Sequence, residues 1–422
     1  MDRRQLLTGL SAAAFVPISA RAQAEAAHTF PPEWHEHEAI WMGWTDSVTA
    51  SDAHTTLRLE MIEALAPHVP VKMLVTGDDV AAHIRKLMDK RRIPAEAVIF
   101  VKQPTVDVWT RDSGPLFVSD GKTLQLADFK WGNYGFPWPH TGPMSMERKN
   151  LDQEVAAQFG YKKRRSEVVA EGGGIDVNSS CMVSYMDAAL HRNPGFTLAE
   201  IEDAFKRLYG KKKVIWLNRA PVSDRVFAGP KVANFFGWGA NGHVDEYVRF
   251  TDENTVLVAQ VSEEEREMNA LYRLDHEILE ENRRQLELAT DPWGRPFEVI
   301  PMPMPDVTTM METRTLTEED FRVGAFGAPM HSVYRDFKPG DEIHWLPAMS
   351  YLNFLVTNDV VLTAKYGKEG RADHLRKTDE QAAEILKERF PGRKIIGIDP
   401  MAANWNGGGM HCITQQEPKL KG

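Results

Sequence analysis

At 422 residues, 42% of them hydrophobic, the chain can bury a large core, and its length admits two or three domains or one large α/β fold. Charged residues at 26%, aromatics at 9%, 30 glycines and 25 prolines exclude a disordered, collagenous or coiled-coil chain, and no apolar run approaches the roughly 18 residues of a membrane span. A formal net charge of −10 argues against a nucleic-acid partner and favours cationic ligands.

The first residues read as an address. Arg3-Arg4 precede Leu6-Leu7 and a modestly apolar run from Leu10 to Ala20, and Ala20-Arg21-Ala22 supplies the small-x-small pattern of a cleavage site. A paired arginine before a weakly apolar stretch is the twin-arginine signature. The expectation is therefore a signal over residues 1–24, a mature body over 25–422 and a periplasmic or secreted location without a membrane anchor. Removing Asp2, Arg3, Arg4 and Arg21 takes away a net +2, so −10 becomes about −12.

Downstream, strand-length β-branched runs predict strands at Val71–Val75, Val98–Val101, Cys181–Tyr185, Val214–Leu217, Thr255–Val261, Leu352–Thr357, Val360–Thr363 and Lys394–Ile398. Helical patterns fall between them at 51–66, 78–90, 147–159, 197–209, 262–289 and 378–390. The most explicit is Thr197–Tyr209. Leu198, Ile201, Phe205 and Leu208 share one face, Thr197 and Glu200 make a capping box, and Gly210 supplies the stop. The sum is mixed α/β, and one domain, because no Gly-, Ser- or Pro-rich linker divides it. Pro301–Pro305 reads as a loop, and no internal repeat stands out. Ala220–Ala240 (with Phe235, Phe236 and Trp238), Pro301–Ile343 and Tyr134–Met146 read as insertions that could shape the mouth of a site.

Four segments could carry chemistry. Near the C-terminus, Asn404-Trp405-Asn406-Gly407-Gly408-Gly409-Met410-His411-Cys412 leads through three glycines into a cysteine and an apparent strand. Cysteine is a nucleophile only as thiolate, and a cysteine after glycines is often just a small buried hydrophobe. Asn241-Gly242-His243-Val244-Asp245-Glu246 opens an apparent strand at Tyr247–Phe250. On an extended chain His243 and Asp245 would share a face, a proton-moving ring beside a cation-holding carboxylate, although a strand-end histidine can equally be satisfied by backbone. In Asp107-Val108-Trp109-Thr110-Arg111-Asp112-Ser113-Gly114-Pro115, Trp109 and Asp112 offer what a planar cation needs, a face and an acceptor. The alternative there is an Arg111–Asp pair fixing a turn. Glu171-Gly172-Gly173-Gly174-Ile175-Asp176 places a carboxylate at a glycine-rich strand end, or in a loop where it is simply solvated. Of the two cysteines, Cys181 and Cys412, the latter must stay free to act, so no disulfide is expected.

In this order, the four segments resemble the agmatine deiminase family, which includes bacterial peptidylarginine deiminases, within the guanidino-group modifying enzymes. Pro32-Glu33-Trp34-His35-Glu36-His37-Glu38-Ala39-Ile40-Trp41-Met42-Gly43-Trp44 is similar to that family's N-terminal signature. Arg192-Asn193-Pro194, Val214-Ile215-Trp216-Leu217 and Ser350-Tyr351-Leu352-Asn353-Phe354 fit as well, so the resemblance spans about residues 30 to 418. It implies a five-bladed pseudo-fivefold α/β propeller (the pentein fold), one catalytic domain over 25–422, and a site in a central funnel. On the matching positions, Cys412 would attack the guanidinium carbon, and Asp112 and Asp245 would grip its nitrogens. His243 would protonate the departing ammonia and later activate water, with Glu171 holding it in place. Trp109, Asn353 and Gly409 would line the substrate. The implied chemistry passes through a covalent thiouronium and calls for no metal and no organic cofactor.

The implied partner is a small cationic guanidine, agmatine being converted to N-carbamoylputrescine, or an arginine side chain converted to citrulline. An amidinotransferase and an exported guanidine-binding protein without turnover are the other readings, and a homodimer is compatible with all of them. Three departures bear on the substrate. Thr45 follows Trp44 where the family's signature usually has proline, and the segments Ala220–Ala240 and Pro301–Ile343 are longer than the family pattern implies.

Overall fold

The computed structural model describes residues 28–135, 143–225, 231–237, 239–322 and 336–421. The expected signal over residues 1–24 lies outside that set, as does Trp238. Among the described residues no helix is long and apolar enough to cross a membrane.

Alternation of β-branched runs with amphipathic helices generates one motif again and again. Unit 1 holds β1 (His37–Gly43), α1 (Asp52–Leu65), β2 (Val71–Val75), α2 (Asp78–Arg91) and β3 (Val98–Lys102). Unit 2 is β4 (Phe117–Ser119), β5 (Leu124–Lys130), α3 (Pro143–Phe159) and β6 (Lys162–Val169). Unit 3 is β7 (Asp176–Val177), β8 (Cys181–Tyr185), α4 (Leu198–Tyr209) and β9 (Lys213–Leu217), after which β10 (Phe235–Gly237) stands apart. Unit 4 is β11 (Val248–Phe250), β12 (Thr255–Gln260), α5 (Ala270–Leu288) and β13 (Glu298–Pro303), followed by β14 (Glu312–Thr315) and β15 (Glu342–Leu346). Unit 5 is β16 (Leu355–Thr357), β17 (Val360–Ala364), α6 (His374–Arg389) and β18 (Lys394–Ile398).

The last strand, β19 (Thr414–Pro418), returns to unit 1 and pairs antiparallel with β1, Met42 opposite Thr414 and Ile40 opposite Gln416. In units 2 to 5 the first two strands are antiparallel and the second two parallel, joined by a helical crossover. The trio β19, β1 and β2 repeats that order in unit 1. Five equivalent units result, a repeat that the letters alone did not show.

Local chemistry explains the elements. The middle strands β8 and β17 are buried along their whole length, which is why they read as continuous apolar runs rather than alternating ones. α4 starts on the predicted capping box of Thr197 and Glu200 and ends on Gly210 at φ 66°. Its face of Ile201, Phe205 and Leu208 is buried, each side chain contributing about 1.5–3 kcal/mol through lost water contact.

Several expectations need correction. The helix expected at 262–289 begins only at Ala270, because Asn269 caps it by accepting from the Tyr272 N–H, and Glu265–Glu267 forms a separate 3-10 turn. The strand expected from Leu352 begins at Leu355, since the Leu352 and Phe354 carbonyls accept from Arg249 instead of a ladder. The helices expected at 147–159 and 378–390 start earlier, at Pro143 and His374; proline suits a first helical position, where its missing N–H is not needed. Pro301–Pro305 is not simply a loop. Pro301 and Pro303 lie in β13, an edge strand, where a missing N–H costs little. The two long insertions meet each other, with β10 from the first and β14 and β15 from the second forming a separate sheet ordered β10-β15-β14. The third, Tyr134–Met146, is described only at Tyr134, Gly135 and the first turn of α3.

The units converge on a buried charged hub. Arg249 of β11 donates to Asp176 of β7 at 3.1 Å and to the Leu352 and Phe354 carbonyls at 3.0 and 2.9 Å. It also reaches Glu33, which in turn takes Arg111 at 3.0 Å. Arg111 bonds Gln416 of β19 as well. The Arg111–Asp alternative is thus replaced by an Arg111–Glu33 pair. All of these side chains are buried, so each charge depends on its partners.

Candidate active site

The loop entering the first strand of each unit delivers one part of the site. Asp112 precedes β4, Glu171 precedes β7, His243 and Asp245 precede β11, Asn353 precedes β16 and Cys412 precedes β19. All are buried. His243 and Asp245 do not lie on an extended strand as expected, since Val244–Glu246 is a 3-10 turn. That turn sends His243 toward Asp112 and Glu171, and Asp245 toward Cys412.

Around Cys412, the Asn353 side-chain N–H donates to Sγ at 3.2 Å, and Sγ stands 3.6 Å from Asp245 Oδ2 and 3.5 Å from Glu246 Oε1. Burial, followed by the charges of Asp245, Glu246 and Asp112, pushes the thiol well above its ordinary range, against a backbone hydrogen bond from Gly409. Cys412 therefore rests as a thiol. Close backbone approach needs the glycines here: a Cβ on Gly408 would lie 2.9 Å from both Sγ and the Trp109 ring, and one on Gly409 2.5 Å from Asn353 Oδ1. Trp109, Asn353 and Gly409 are thus all brought to the cysteine. Cys181, in β8, is free, as is Cys412.

Around His243, Nδ1 lies 3.7 Å from Asp112 Oδ1 and Nε2 lies 3.8 Å from Glu171 Oε2. Both distances exceed a hydrogen bond. Burial alone would lower the ring's pKa, but Asp112, Glu171 and Asp245 outweigh it and raise the value to about 9. Asp112 is lifted to about 6, by burial first and by Asp245 and Glu171 next, with His243 opposing. Glu171 is not solvated: although burial would raise it, Arg192 at 2.6 Å and His243 hold it down at about 2.

Sequence reasoning missed several supports. Arg192 binds Glu171 and also the Asn241 and Ala240 carbonyls, both at 3.0 Å, tying Glu171 to the loop before His243. Its motif was noticed, but no role followed from it. Tyr134 donates its hydroxyl to Asp112 at 3.0 Å and its backbone N–H to Glu171 at 3.3 Å, and accepts from Asn241 at 2.8 Å. It does so at φ 57°, a conformation that side chains rarely adopt. Asp224 accepts from the backbone N–H groups of Ala240, Gly242 and His243. Glu246, next to Asp245, is held protonated by burial and by Asp245 and Asp224.

Three buried polar atoms in this cluster have no hydrogen-bond partner among the described residues: both ring nitrogens of His243 and Asp245 Oδ1. Unmatched groups of this kind are costly, and these three fall on the one short segment that carries His243 and Asp245.

Residues 29–418 match the model of the Porphyromonas-type peptidyl-arginine deiminase family. The chain belongs to that family. Among this deiminase-family member's relatives, a provisionally named agmatine deiminase of Streptomyces avermitilis is 29% identical over 402 residues, 92% of this chain and 96% of that one. Agmatine deiminase of Medicago truncatula is 26% identical over 411 residues, with 92% and 96% covered. The solved agmatine deiminase of Enterococcus faecalis superposes with a TM-score of 0.68 at 23% identity, covering 95% of this chain and 98% of that one. That likeness shows a shared α/β fold, to which the five equivalent units described above belong. Membership places the chain among hydrolases of guanidino C–N bonds.

Proposed function

We propose that the protein deiminates agmatine to N-carbamoylputrescine and ammonia through a covalent intermediate on Cys412. The observation that carries this is Asp245 Oδ1, a buried acceptor without a partner among the described residues, beside a thiol flanked by carboxylates. A guanidinium supplies the N–H donors that Asp245 Oδ1 lacks and one positive charge for the surrounding carboxylates.

Asp112 and Asp245 hold the guanidinium, and its charge offsets the field that keeps Cys412 protonated. Sγ bonds to the guanidinium carbon while the thiol proton passes to the carboxylates that it already faces. His243, protonated at neutral pH, gives its proton to the departing nitrogen, so ammonia leaves and a thiouronium carries the positive charge. Neutral His243 then takes a proton from water as the water oxygen bonds to carbon. The C–S bond breaks, sulfur recovers its proton and the remaining proton departs with ammonia as ammonium.

Nearly complete burial of Cys412, with 2% of its surface exposed, favours a small amine over an arginine within a peptide. The twin-arginine pattern supports export to the periplasm, which N-terminal sequencing of the mature protein from that compartment would test. For the reaction, ammonia release is measured from agmatine, free arginine and a short arginine peptide. Agmatine turnover is expected. Turnover of the peptide alone would make the protein a peptidylarginine deiminase, and stoichiometric binding without ammonia would make it a binding protein.

A further inference from the structure

His411 lies outside the catalytic set above, yet both of its ring nitrogens are committed. Nδ1 is 2.6 Å from Asp245 Oδ2, and Nε2 is 2.7 Å from Glu33 Oε1. Two hydrogen bonds this short need two protons shared among the ring and the two carboxylates. Glu33 does not supply one. Burial would raise its pKa, but His411, Arg249 and Arg111 hold it well below the usual range. Asp245 is also held low, burial being overcome by the hydrogen bond and charge of His411.

The ring itself is under opposing influences. Burial, Arg111 and Arg249 outweigh Glu33 and the hydrogen bond to Asp245 and lower the ring's pKa from its ordinary value, so the field alone does not charge the ring. Geometry decides between them. A neutral ring would turn a lone pair toward a carboxylate oxygen at hydrogen-bond distance, with no proton between them. An imidazolium, with both nitrogens donating, satisfies both contacts at once. The groups around it come from separate elements: Glu33 before β1, Arg111 from the turn before β4, Asp245 from the turn before β11 and Arg249 from β11. Its own backbone is fixed too, its N–H donating to Asn353 Oδ1 at 2.9 Å and its carbonyl accepting from Arg111 at 3.4 Å.

We infer that His411 is a positioning residue that ties down Asp245 Oδ2 with a charged hydrogen bond, so that Oδ1 alone is offered to the guanidinium of the substrate. The inference rests on the deiminase reading for its substrate. It accounts for the asymmetry of Asp245, one oxygen bonded to the ring and the other buried without a partner among the described residues. It also explains how a carboxylate beside Glu246 and a buried thiol stays ionised, since the imidazolium is the nearest compensating charge. Glu33, with Arg111 and Arg249, anchors the far side of the ring to the hub.

Two substitutions separate the two nitrogens. Asparagine can place an amide N–H where Nδ1 stood and keep the bond to Asp245, whereas glutamine reaches the Nε2 position and keeps only the bond to Glu33. For agmatine, His411→Gln is expected to raise KM by roughly ten-fold more than His411→Asn, the loss of one charged hydrogen bond. The acid limb of the kcat/KM profile is expected to move to higher pH in both variants, which lose the positive charge, and further in His411→Gln, which also loses the hydrogen bond to Asp245. Equal KM values and superimposable pH profiles for the two variants would overturn the inference and reduce His411 to packing.

A second measurement does not need turnover. NMR of the full chain carrying isotope-labelled histidine is expected to show, at about pH 7, a ring with both nitrogens protonated whose signals vanish in His411→Asn. A singly protonated His411 would overturn the inference even in an active enzyme. A wild type that turns over none of the guanidines would sink the deiminase reading, while the NMR result would still decide the charge of His411.

Discussion

Two buried histidines in this molecule each lie between two carboxylates, and they are built for opposite purposes. His411 is bonded to Asp245 and Glu33 at 2.6 and 2.7 Å. His243 stands 3.7 and 3.8 Å from Asp112 and Glu171, with neither nitrogen bonded among the described residues. About one ångström of separation divides a proton that is held from one that can be given away. A ring locked at both ends cannot serve as acid and then base, whereas a ring that feels its carboxylates only through space keeps a high pKa and a free proton.

Substitutions at the site test that contrast, and the largest effect lies where the rings meet the nucleophile. Cys412→Ser should abolish turnover while circular dichroism and the thermal midpoint stay near wild type; a variant that retains most of its activity would refute the covalent route. His243→Gln should reduce kcat by roughly 100- to 10,000-fold with little change in KM, the usual weight of a general acid–base group. If it raised only KM, His243 would be a binding residue like its counterpart. Gly173→Ala is the geometric version of the same test. A Cβ there would fall 2.4 Å from His243 Nδ1, so the ring must move, and kcat should drop by about 10- to 100-fold with a smaller loss of stability.

Stability against pH should separate the rings without any substrate. The folded pKa of His243, about 9, lies above its value of 6.5 in an unfolded chain. Its contribution is therefore complete below pH 6.5 and disappears as pH rises through 9, amounting to on the order of 3 kcal/mol. Denaturant unfolding on both sides of that window should show the decline, and His243→Gln should flatten it. The smallest effect is expected at Glu246. Because Glu246 is protonated at rest, Glu246→Gln exchanges one neutral group for another, and the pH profile of Cys412 alkylation should barely move. A clear downward shift would mean that Glu246 is ionised beside the thiol.

Much of this architecture was legible in the letters. β2 and β8 fall on the predicted residues because buried apolar runs have few alternatives, β18 does so although only its Ile398 is buried, and α4 carries its own start and stop. The candidate residues Cys412, His243, Asp112, Asp245 and Glu171, with Trp109, Asn353 and Gly409, also come together in space. What stayed hidden was pairing at long range. Nothing near His411 announces Glu33, at the other end of the chain, and nothing in Asp224 announces that it holds the loop before His243. The fivefold repeat is likewise a matter of hydrogen-bond order rather than of residue identity, so dissimilar sequences can share it. Tyr134 was missed for a related reason, since it looked like the start of an insertion and its left-handed backbone has no signature in the letters.

The pairing of β1 with β19 has a consequence for how the protein is made. A ribosome delivers β1 early and leaves it without its antiparallel neighbour until β19 emerges much later. That same stretch brings in Cys412 and His411. Until then unit 1 has an unfinished sheet and the site lacks Cys412, and both deficits end together. Synthesis, in effect, supplies Cys412 only once the units that bury it have been made.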